Sequence, residues 1–324
     1  MNKITQLISK YESNSFFLLI LGLIAAMFFT ATFLINRSIS IDGGHWFWSA
    51  SLRFIFTVLM MSVVIIVFKG FNFFIDVLKD YKKHFIFWNI AGTLGFGIFY
   101  AMICFAADFS PAWMVATTWQ LTIIASLFVL AFYGKKLSKK IWFFTILIFI
   151  GVCLVNFSSF DINELKTVLI GFIAVLVAAF AYPIGNQMVW EEKSKRHKNL
   201  DFKIDVLENA FAKVFLMTLG SFPVWLSLFF ILDIDFLPTN GQILSVSVIS
   251  LLSGVVATSI FLYARSKADD SKKIMIVDAT QSGEVVFALL GEMLFLNLAM
   301  PGFIAMLGVV ITIIGLIVIT KIDK

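Results

Sequence analysis

Long hydrophobic runs alternate with short polar segments along almost the whole chain. Ten of these runs have the length of about 20 residues that a helix needs to cross the hydrocarbon core of a bilayer. The pattern therefore predicts an all-α integral membrane protein with ten transmembrane helices. Their approximate bounds are 16–36, 46–68, 85–107, 112–133, 141–157, 167–190, 206–232, 243–264, 274–296 and 302–320.

The composition excludes an ordinary soluble protein, because 60% of the 324 residues are hydrophobic and the mean hydropathy is +0.97. The first run is too long for the apolar region of a signal peptide and is not followed by a clear cleavage site of small residues. We therefore expect it to be retained as a helix after a cytoplasmic segment of residues 1–15.

Positive charge predicts the orientation. If the N-terminus lies in the cytoplasm, all but four of the 25 Lys and Arg residues fall in cytoplasmic segments, as the positive-inside rule requires. The exceptions are Arg37 and Lys166 in outer loops and Arg53 and Lys213 within runs. Both termini, including the tail 321–324, are thus predicted to be cytoplasmic in a cell membrane. The basic loop 193–203 fits this topology and contact with anionic lipids better than binding of nucleic acid.

The chain also suggests an internal duplication, with five runs in residues 16–157 and five in residues 158–320. Arg53 in the second run corresponds to Lys213 in the seventh. An odd number of helices per half makes the second half enter the membrane from the opposite side. Transporters built as such inverted repeats hold their substrate near the midplane, between the halves.

The ninth run carries unusual polar residues for a membrane helix, including Asp278, Gln281 and Glu284. Glu284 follows Ile274 by ten residues, which places it about 15 Å into a core about 30 Å thick. A carboxylate there costs about 2.5 kcal/mol or more unless it is paired or hydrated.

Two of these polar residues, Gln281 and Glu284, share one helical face with three small or apolar residues, and we expect this face to line a path for substrate and protons. In this hypothesis Glu284 exchanges protons and attracts a cationic substrate. The alternative is a fixed ion pair with Arg53 or Lys213, the two cations within the runs. The face consists of Gln281, Glu284, Ala288, Gly291 and Phe295.

Two other acids flank this face. Asp278 either guards a cytoplasmic entrance or is a hydrated carboxylate at a helix start, where the helix dipole favours it. Glu292 is interpreted as a solvated end near the outer interface. Arg53, about 10 Å into its run, either binds an anionic group or Glu284, or extends its head to the outer surface. The same alternatives apply to Lys213.

Further polar and aromatic residues could complete a substrate cavity. Trp119 offers a face on which an organic cation can stack, or it packs as an ordinary core residue. The other polar candidates for this cavity could instead form hydrogen bonds between helices. Pro183 could kink the sixth run, and Gly92, Gly95 and Gly97 are expected to allow close helix contact. The remaining cavity candidates are Gln120, Tyr100, Tyr182, Asn186 and Gln187.

No other chemistry is indicated. Cys104 and Cys153 lie in apolar runs, as small packing residues do, and the three His residues are isolated. The sequence has no P-loop motif and no nucleophile–base pair. We therefore predict no metal, no cofactor and no enzymatic activity.

The whole pattern resembles the drug/metabolite transporter superfamily with EamA-type repeats, and more narrowly its ten-helix multidrug resistance efflux transporter family. The resemblance covers nearly the whole chain. Its most specific residues are 33–37 (FLINR), 46–53 (WFWSASLR) and 278–287 (DATQSGEVVF).

This resemblance implies a secondary transporter that exports hydrophobic, cationic compounds by proton antiport and alternating access. The superfamily also moves amino acids, sugar-linked nucleotides and other metabolites, so a metabolite carrier is the alternative, ahead of a membrane sensor or enzyme. The expected partners are a small-molecule substrate, protons and the lipid bilayer, and a homodimer is compatible with them. The small four-helix members use a Glu in their first helix, whereas residues 16–35 hold no carboxylate. If Glu284 couples transport to protons, it does so from a different helix than the acid of the small members.

Overall fold

A computed structural model describes residues 14–133, 139–158, 165–199, 205–267, 273, 276–277 and 280–322. Within these ranges the chain forms helices joined by turns, with no strand. The helices are α1 (Ser15–Ile41), α2 (Trp46–Lys69), α3 (Phe71–Lys83), α4 (Phe85–Gly92), a first π-helical segment (Thr93–Ile98), α5 (Phe99–Ala106), α6 (Ala112–Trp119), α7 (Leu121–Phe132), α8 (Lys139–Asn156), α9 (Leu165–Asn199), α10 (Asp205–Glu208), α11 (Ala210–Gly220), α12 (Phe222–Ile231), α13 (Asn240–Ile249), a second π-helical segment (Ser250–Ala257), α14 (Thr258–Lys267), a 3₁₀ turn (Thr280–Ser282), α15 (Gly283–Phe295) and α16 (Phe303–Ile322).

Seven helical stretches in the described ranges are long and apolar enough to cross a membrane. The predicted all-α, multi-pass membrane architecture is therefore confirmed, whereas the count of ten and the inverted repeat stay predictions. Two shorter apolar helices, Ile146–Asn156 and Phe303–Val318, fall in the fifth and tenth predicted runs. The seven are Ser15–Ile41, Trp46–Lys69, Phe85–Ala106, Ala112–Val129, Leu165–Lys193, Ala210–Ile231 and Asn240–Ala264.

Several of the predicted spans are not regular helices. The fourth is interrupted at Gln120, whose N–H bonds the carbonyl of Thr117 at 3.1 Å, and the seventh at Ser221, whose N–H bonds Thr218 in the same way. Pro223 then occupies the first turn of α12, a position that proline favours because that turn needs no backbone donor. The third and eighth spans each contain a π-helical segment near the middle.

Glycines let these irregular helices approach one another closely. A methyl group on Gly220 of α11 would overlap the carbonyl oxygen of Trp88 on α4, and one on Gly92 would lie 2.6 Å from the carbonyl carbon of Gly220. Gly95 and Gly185 meet in the same way. The expectation of helix contact is thus confirmed for Gly92 and Gly95, and Gly97 lies against the side chain of Val224 on α12.

The helices α1 and α15 pack side by side and run in the same direction. Gly22 on α1 lies against Thr280, just before α15, and Leu34 lies against Gly291 on α15. Gly22 and Gly291 thus let the first and ninth predicted spans approach each other closely. The contact extends over about three turns of helix, since residues 22 to 34 span about 18 Å.

A polar cluster joins α3 to the end of α9. The predicted loop 193–203 is helical as far as Asn199, and Arg196 donates from Nη1 to Oδ1 of Asp80 at 2.6 Å and from Nε to Glu192 at 2.8 Å. Asp80 is fully buried and its Oδ2 accepts the indole N–H of Trp88 at 2.9 Å. The explanation of this basic segment by topology and lipid contact alone is therefore wrong for Arg196.

Candidate functional site

Glu284 lies in the first turn of α15 and is 6% exposed. The α-helix begins only at Gly283, after the 3₁₀ turn, and Ile274 and Asp278 lie outside the described residues. The single regular helix expected for this run is therefore not observed. A carboxylate in the first turn lies where the helix dipole favours negative charge.

Neither cation of the predicted spans pairs with Glu284. No ion pair joins it to Arg53 or Lys213, and its side-chain oxygens have no hydrogen-bond partner within the described part of the chain. The Thr30 hydroxyl donates to the backbone carbonyl of Glu284 at 3.5 Å and not to its carboxyl group. Glu284 thus combines burial with a carboxyl group that no described residue pairs.

The predicted face of the ninth span is largely buried against protein. Glu284, Ala288 and Gly291 are all buried, while Phe295 at the end of α15 is 76% exposed. Gln281 lies in the 3₁₀ turn and is partly exposed.

Glu292 is fully buried, so its interpretation as a solvated end is wrong. Its two carboxylate oxygens accept the backbone N–H groups of Ala112 at 2.7 Å and Trp113 at 3.0 Å. These are first-turn donors of α6, which have no partner within their own helix, and Pro111 before them offers no side-chain cap. Glu292 therefore caps α6 from a neighbouring helix.

This cap fixes the relative depth of α6 and α15, which run in opposite directions. Trp119 lies seven residues beyond Ala112 and Glu284 lies eight residues before Glu292, or about 10 and 12 Å along their helices. The indole of Trp119 and the carboxyl group of Glu284 consequently lie at similar depth in the bundle.

Trp119 belongs to an aromatic cluster with Phe99 and Tyr182. The ring centroids are 4.9 Å apart for Phe99 and Trp119, 5.0 Å for Phe99 and Tyr182, and 5.5 Å for Trp119 and Tyr182. All three side chains are partly exposed, so the cluster is not a closed core contact.

Tyr182 connects this aromatic cluster to a cavity of about 280 Å³. The amides of Asn186 and Gln187 face this cavity but bond along their own helix, to the carbonyl of Tyr182 at 2.9 Å and to Glu191 at 3.1 Å. Four of the predicted cavity residues, Trp119 among them, therefore lie in one connected region. The cavity is lined by Ser126, Val129, Tyr182, Pro183, Asn186, Gln187 and Trp190.

Tyr100 belongs to a different site, centred on Arg53. Its hydroxyl accepts from Nη1 of Arg53 at 2.7 Å, and the guanidinium carbon lies 4.1 Å from the centroid of the Tyr100 ring. Because its hydrogen-bond partners are buried, Arg53 does not extend to the outer surface.

The remaining candidates are not part of either site. Gln120 is buried at the break between α6 and α7 and bonds the carbonyl of Ala116 at 3.2 Å. Lys213 is partly buried on α11 and forms no ion pair that involves the described residues. No group of His, Cys, Asp and Glu that could hold a metal is found in the described ranges.

Sequence reasoning missed Phe99 and two of the Arg53 partners, Thr32 and Ser253. Nothing in the pattern of 38 phenylalanines distinguishes Phe99 from those that face lipid. The two hydroxyl residues carried a signal, because buried polar groups in apolar runs usually bond to another helix.

Comparison with known proteins places residues 17–324 in a family whose model is described as "EmrE: Putative multidrug resistance efflux transporter". The "Uncharacterized protein YjlA" of Bacillus subtilis (strain 168) is 35% identical over 317 residues, which cover 93% of this chain and 94% of that protein. The "Uncharacterized 42.1 kDa protein in intracellular alkaline protease 3'region" of Shouchella clausii is 33% identical over 278 residues, or 82% of this chain and 69% of that protein.

A solved structure described as "Crystal structure of protein" shares the fold, with a TM-score of 0.54 at 13% identity. The match covers 92% of this chain and 97% of that chain. At this identity it is similar in fold alone.

Proposed function

Because the chain belongs to the EmrE family of efflux transporters, we propose that it exports hydrophobic, cationic compounds in exchange for protons. Membrane transport is the function of the family, and the multi-pass helical architecture agrees with it. The substrate class and the coupling to protons are our proposal, and they depend on the site around Glu284.

The observation that carries the proposal is the buried carboxyl group of Glu284, which has no ion pair or hydrogen bond with any residue that the structure describes. Ionisable residues within membrane helices are rare, usually face the bundle interior or a water-filled cavity, and commonly mark proton or ion pathways. A carboxyl group held in a permanent ion pair could bind neither a proton nor a substrate. Glu284 has no such pair with Arg53 or Lys213.

A single carboxyl group can couple the two solutes because it binds either a proton or a cation at one time. Release of the proton creates the negative charge that attracts a cationic substrate, and return of a proton displaces that substrate. If the occupied protein alternates between two openings, this exclusion converts a proton gradient into export.

The aromatic cluster supports a hydrophobic cation as the substrate. Trp119 lies at the depth of Glu284 and contacts Phe99 and Tyr182. Aromatic faces attract organic cations, by about 0.5–2 kcal/mol per ring, and they also bury the apolar parts of such compounds. The adjoining cavity of about 280 Å³ leads from this cluster along α9.

We place the protein in the cell membrane with both termini in the cytoplasm and with two inverted halves, 16–157 and 158–320. The distribution of Lys and Arg supports this orientation. The π-helical segments in the third span of each predicted half support the repeat.

A metabolite carrier is the second candidate, and Arg53 is the observation that favours it. A partly buried guanidinium that bonds only neutral groups among the described residues suits a substrate with an anionic group better than a purely cationic drug.

The test is uptake of tetraphenylphosphonium into proteoliposomes with and without a pH gradient. Wild type is expected to show gradient-driven uptake, and Glu284→Gln to fall to the level of liposomes without protein. Asp235→Asn removes an exposed carboxylate from a loop and is expected to behave as wild type. Glu284→Asp keeps the carboxyl group and should retain coupling, which separates loss of the acid from misfolding. Normal gradient-driven uptake by Glu284→Gln would overturn the proposal.

A further inference from the structure

Arg53 is held deep in the bundle by groups from three other helical segments. Its Nη1 donates to the hydroxyls of Thr32 on α1 at 3.0 Å and Tyr100 on α5 at 2.7 Å, and its Nη2 donates to the hydroxyl of Ser253 at 3.1 Å. Arg53 lies seven residues from Trp46, at the start of α2, which is about 10 Å along the helix.

None of these partners neutralises the guanidinium. Arg is always charged, and within membranes such charges are usually paired with a carboxylate. Among the residues with described structure, no carboxylate forms an ion pair with Arg53. The Tyr100 ring beneath the guanidinium adds a cation–π contact, which stabilises the cation but leaves its charge in place.

The guanidinium also has donors to spare. It carries five N–H groups, and the three hydrogen bonds occupy both protons of Nη1 and one of Nη2. One Nη2 proton and the Nε proton are left. Two N–H donors match the two oxygens of a carboxylate, which Arg binds with geometric specificity.

Asn36 shares the Tyr100 hydroxyl with Arg53 and carries an acceptor that has no partner in the described ranges. It lies one helical turn beyond Thr32 and is 3% exposed, and its Nδ2 donates to the same Tyr100 hydroxyl at 3.1 Å. Its Oδ1 is buried and has no partner in the described ranges. A buried acceptor without a donor is destabilising, so a ligand that supplies a donor would stabilise this position.

Both π-helical segments contribute to this site. Ser253 lies inside the second segment, and Tyr100 follows the first by two residues. A π-helical turn disturbs the regular helical hydrogen bonding and occurs frequently at functional sites. Here one π-helical segment carries a hydroxyl group that bonds Arg53, and the other immediately precedes the helix that carries a second.

We propose that Arg53 binds the carboxylate of the transported compound, with Asn36 Oδ1 accepting a hydrogen bond from an amine of the same molecule. The preferred substrates are then amphipathic zwitterions, hydrophobic compounds that carry an amine and a carboxylate close together. This inference rests on the proposed function and narrows its substrate class: the amine remains the cationic group of the exported compound, and the carboxylate that Arg53 binds adds a preference.

The test compares matched ligands that differ only in the carboxylate. Phenylalanine and phenylalanine amide have the same shape, but the amide lacks the negative group. In proteoliposomes, wild type is expected to transport phenylalanine at least about tenfold faster than the amide, the ratio that about 1.4 kcal/mol of preference gives. Arg53→Gln should lose this preference and retain transport of the amide, and Arg53→Lys should keep part of it.

Arg37→Gln is the matched control, since Arg37 bonds the backbone carbonyl of Ala107 at 2.7 Å, away from the Arg53 partners. Its ratio of phenylalanine to amide should equal that of wild type. Stabilisation of the detergent-solubilised protein by each ligand against heat gives a second readout, which does not require transport. In this assay too, phenylalanine should stabilise the protein more than its amide only where Arg53 is present or is replaced by Lys.

The two proposals fail separately. Equal handling of acid and amide by wild type, including no response to either, overturns the role of Arg53 even if tetraphenylphosphonium uptake depends on Glu284. An equal fall for both ligands in Arg53→Gln also overturns it, because a structural role would have that result. Absence of any gradient-driven cation uptake overturns the proposed function, whatever the ligand preference at Arg53.

Discussion

Arg196 and Asp80 form a buried ion pair, 2.6 Å between Nη1 and Oδ1, that ties the end of α9 to α3. The two residues are 116 positions apart in the chain. The side chain of Asp80 is fully buried and that of Arg196 is 11% exposed. The contact therefore differs from the exposed ion pairs of a protein surface.

Removing one partner of this pair should destabilise the protein strongly. Arg196→Ala leaves the buried carboxylate of Asp80 without its cation, which typically costs about 3–5 kcal/mol. Lys79→Ala breaks the pair of Lys79 with Asp76 on the same helix, where the lysine side chain is 70% exposed, and should cost about 0–1 kcal/mol. Thermal midpoints in detergent measure both. Equal midpoints for the two variants would contradict the buried role of Arg196.

Stability of this region should fall as the solution becomes acidic. Burial lowers the pKa of His84, and the cation of Arg196 lowers it further against the opposing effects of Asp80 and Glu192. A lowered pKa in the folded state means that neutral His84 contributes stability above the ordinary value of 6.5. This contribution is lost as the pH falls from 6.5 through the lower pKa of the folded protein.

The thermal midpoint of wild type should therefore decrease between pH 7.5 and 5.5 more than that of His84→Gln, which cannot titrate at this position. An identical pH dependence in both proteins would show that His84 does not contribute.

The close contact of α4 and α11 gives a prediction with a clean control. Gly220→Ala should destabilise the protein by about 1–3 kcal/mol, the usual cost of overpacking, because the added methyl group meets the backbone of Trp88. Gly302→Ala adds the same methyl group where no atom lies within 4 Å and should leave the thermal midpoint nearly unchanged. A stable Gly220→Ala variant would mean that the two helices can separate without loss.

The membrane architecture could be predicted from the sequence because a bilayer requires long apolar helices, and those are visible in one dimension. Glu284 could be found for the same reason, since a carboxylate within an apolar run stands out. The π-helical segments could not, because they leave the apolar pattern unchanged. Their presence is known only from backbone hydrogen bonds.

Contacts between distant segments were the part that sequence reasoning could not supply. Glu292 was misinterpreted because its position near a helix end is typical of a hydrated carboxylate, and nothing local shows that α6 begins against it. Tyr100 was predicted together with Tyr182 as a cavity residue, and nothing local in the sequence shows that its hydroxyl accepts a hydrogen bond from Arg53. Which residues contact each other depends on how the helices pack, and this packing leaves no periodic pattern in the sequence.

The cap that Glu292 provides for α6 limits how the bundle can move. Separating α15 from α6 would strand a buried carboxylate and two backbone donors, at the charged-group cost of about 1.5–3 kcal/mol for each hydrogen bond. During any cycle of opening and closing, these helices should therefore travel as a single rigid body. The indole of Trp119 and the acid of Glu284 would then keep their mutual spacing while the rest of the pathway changes shape around them.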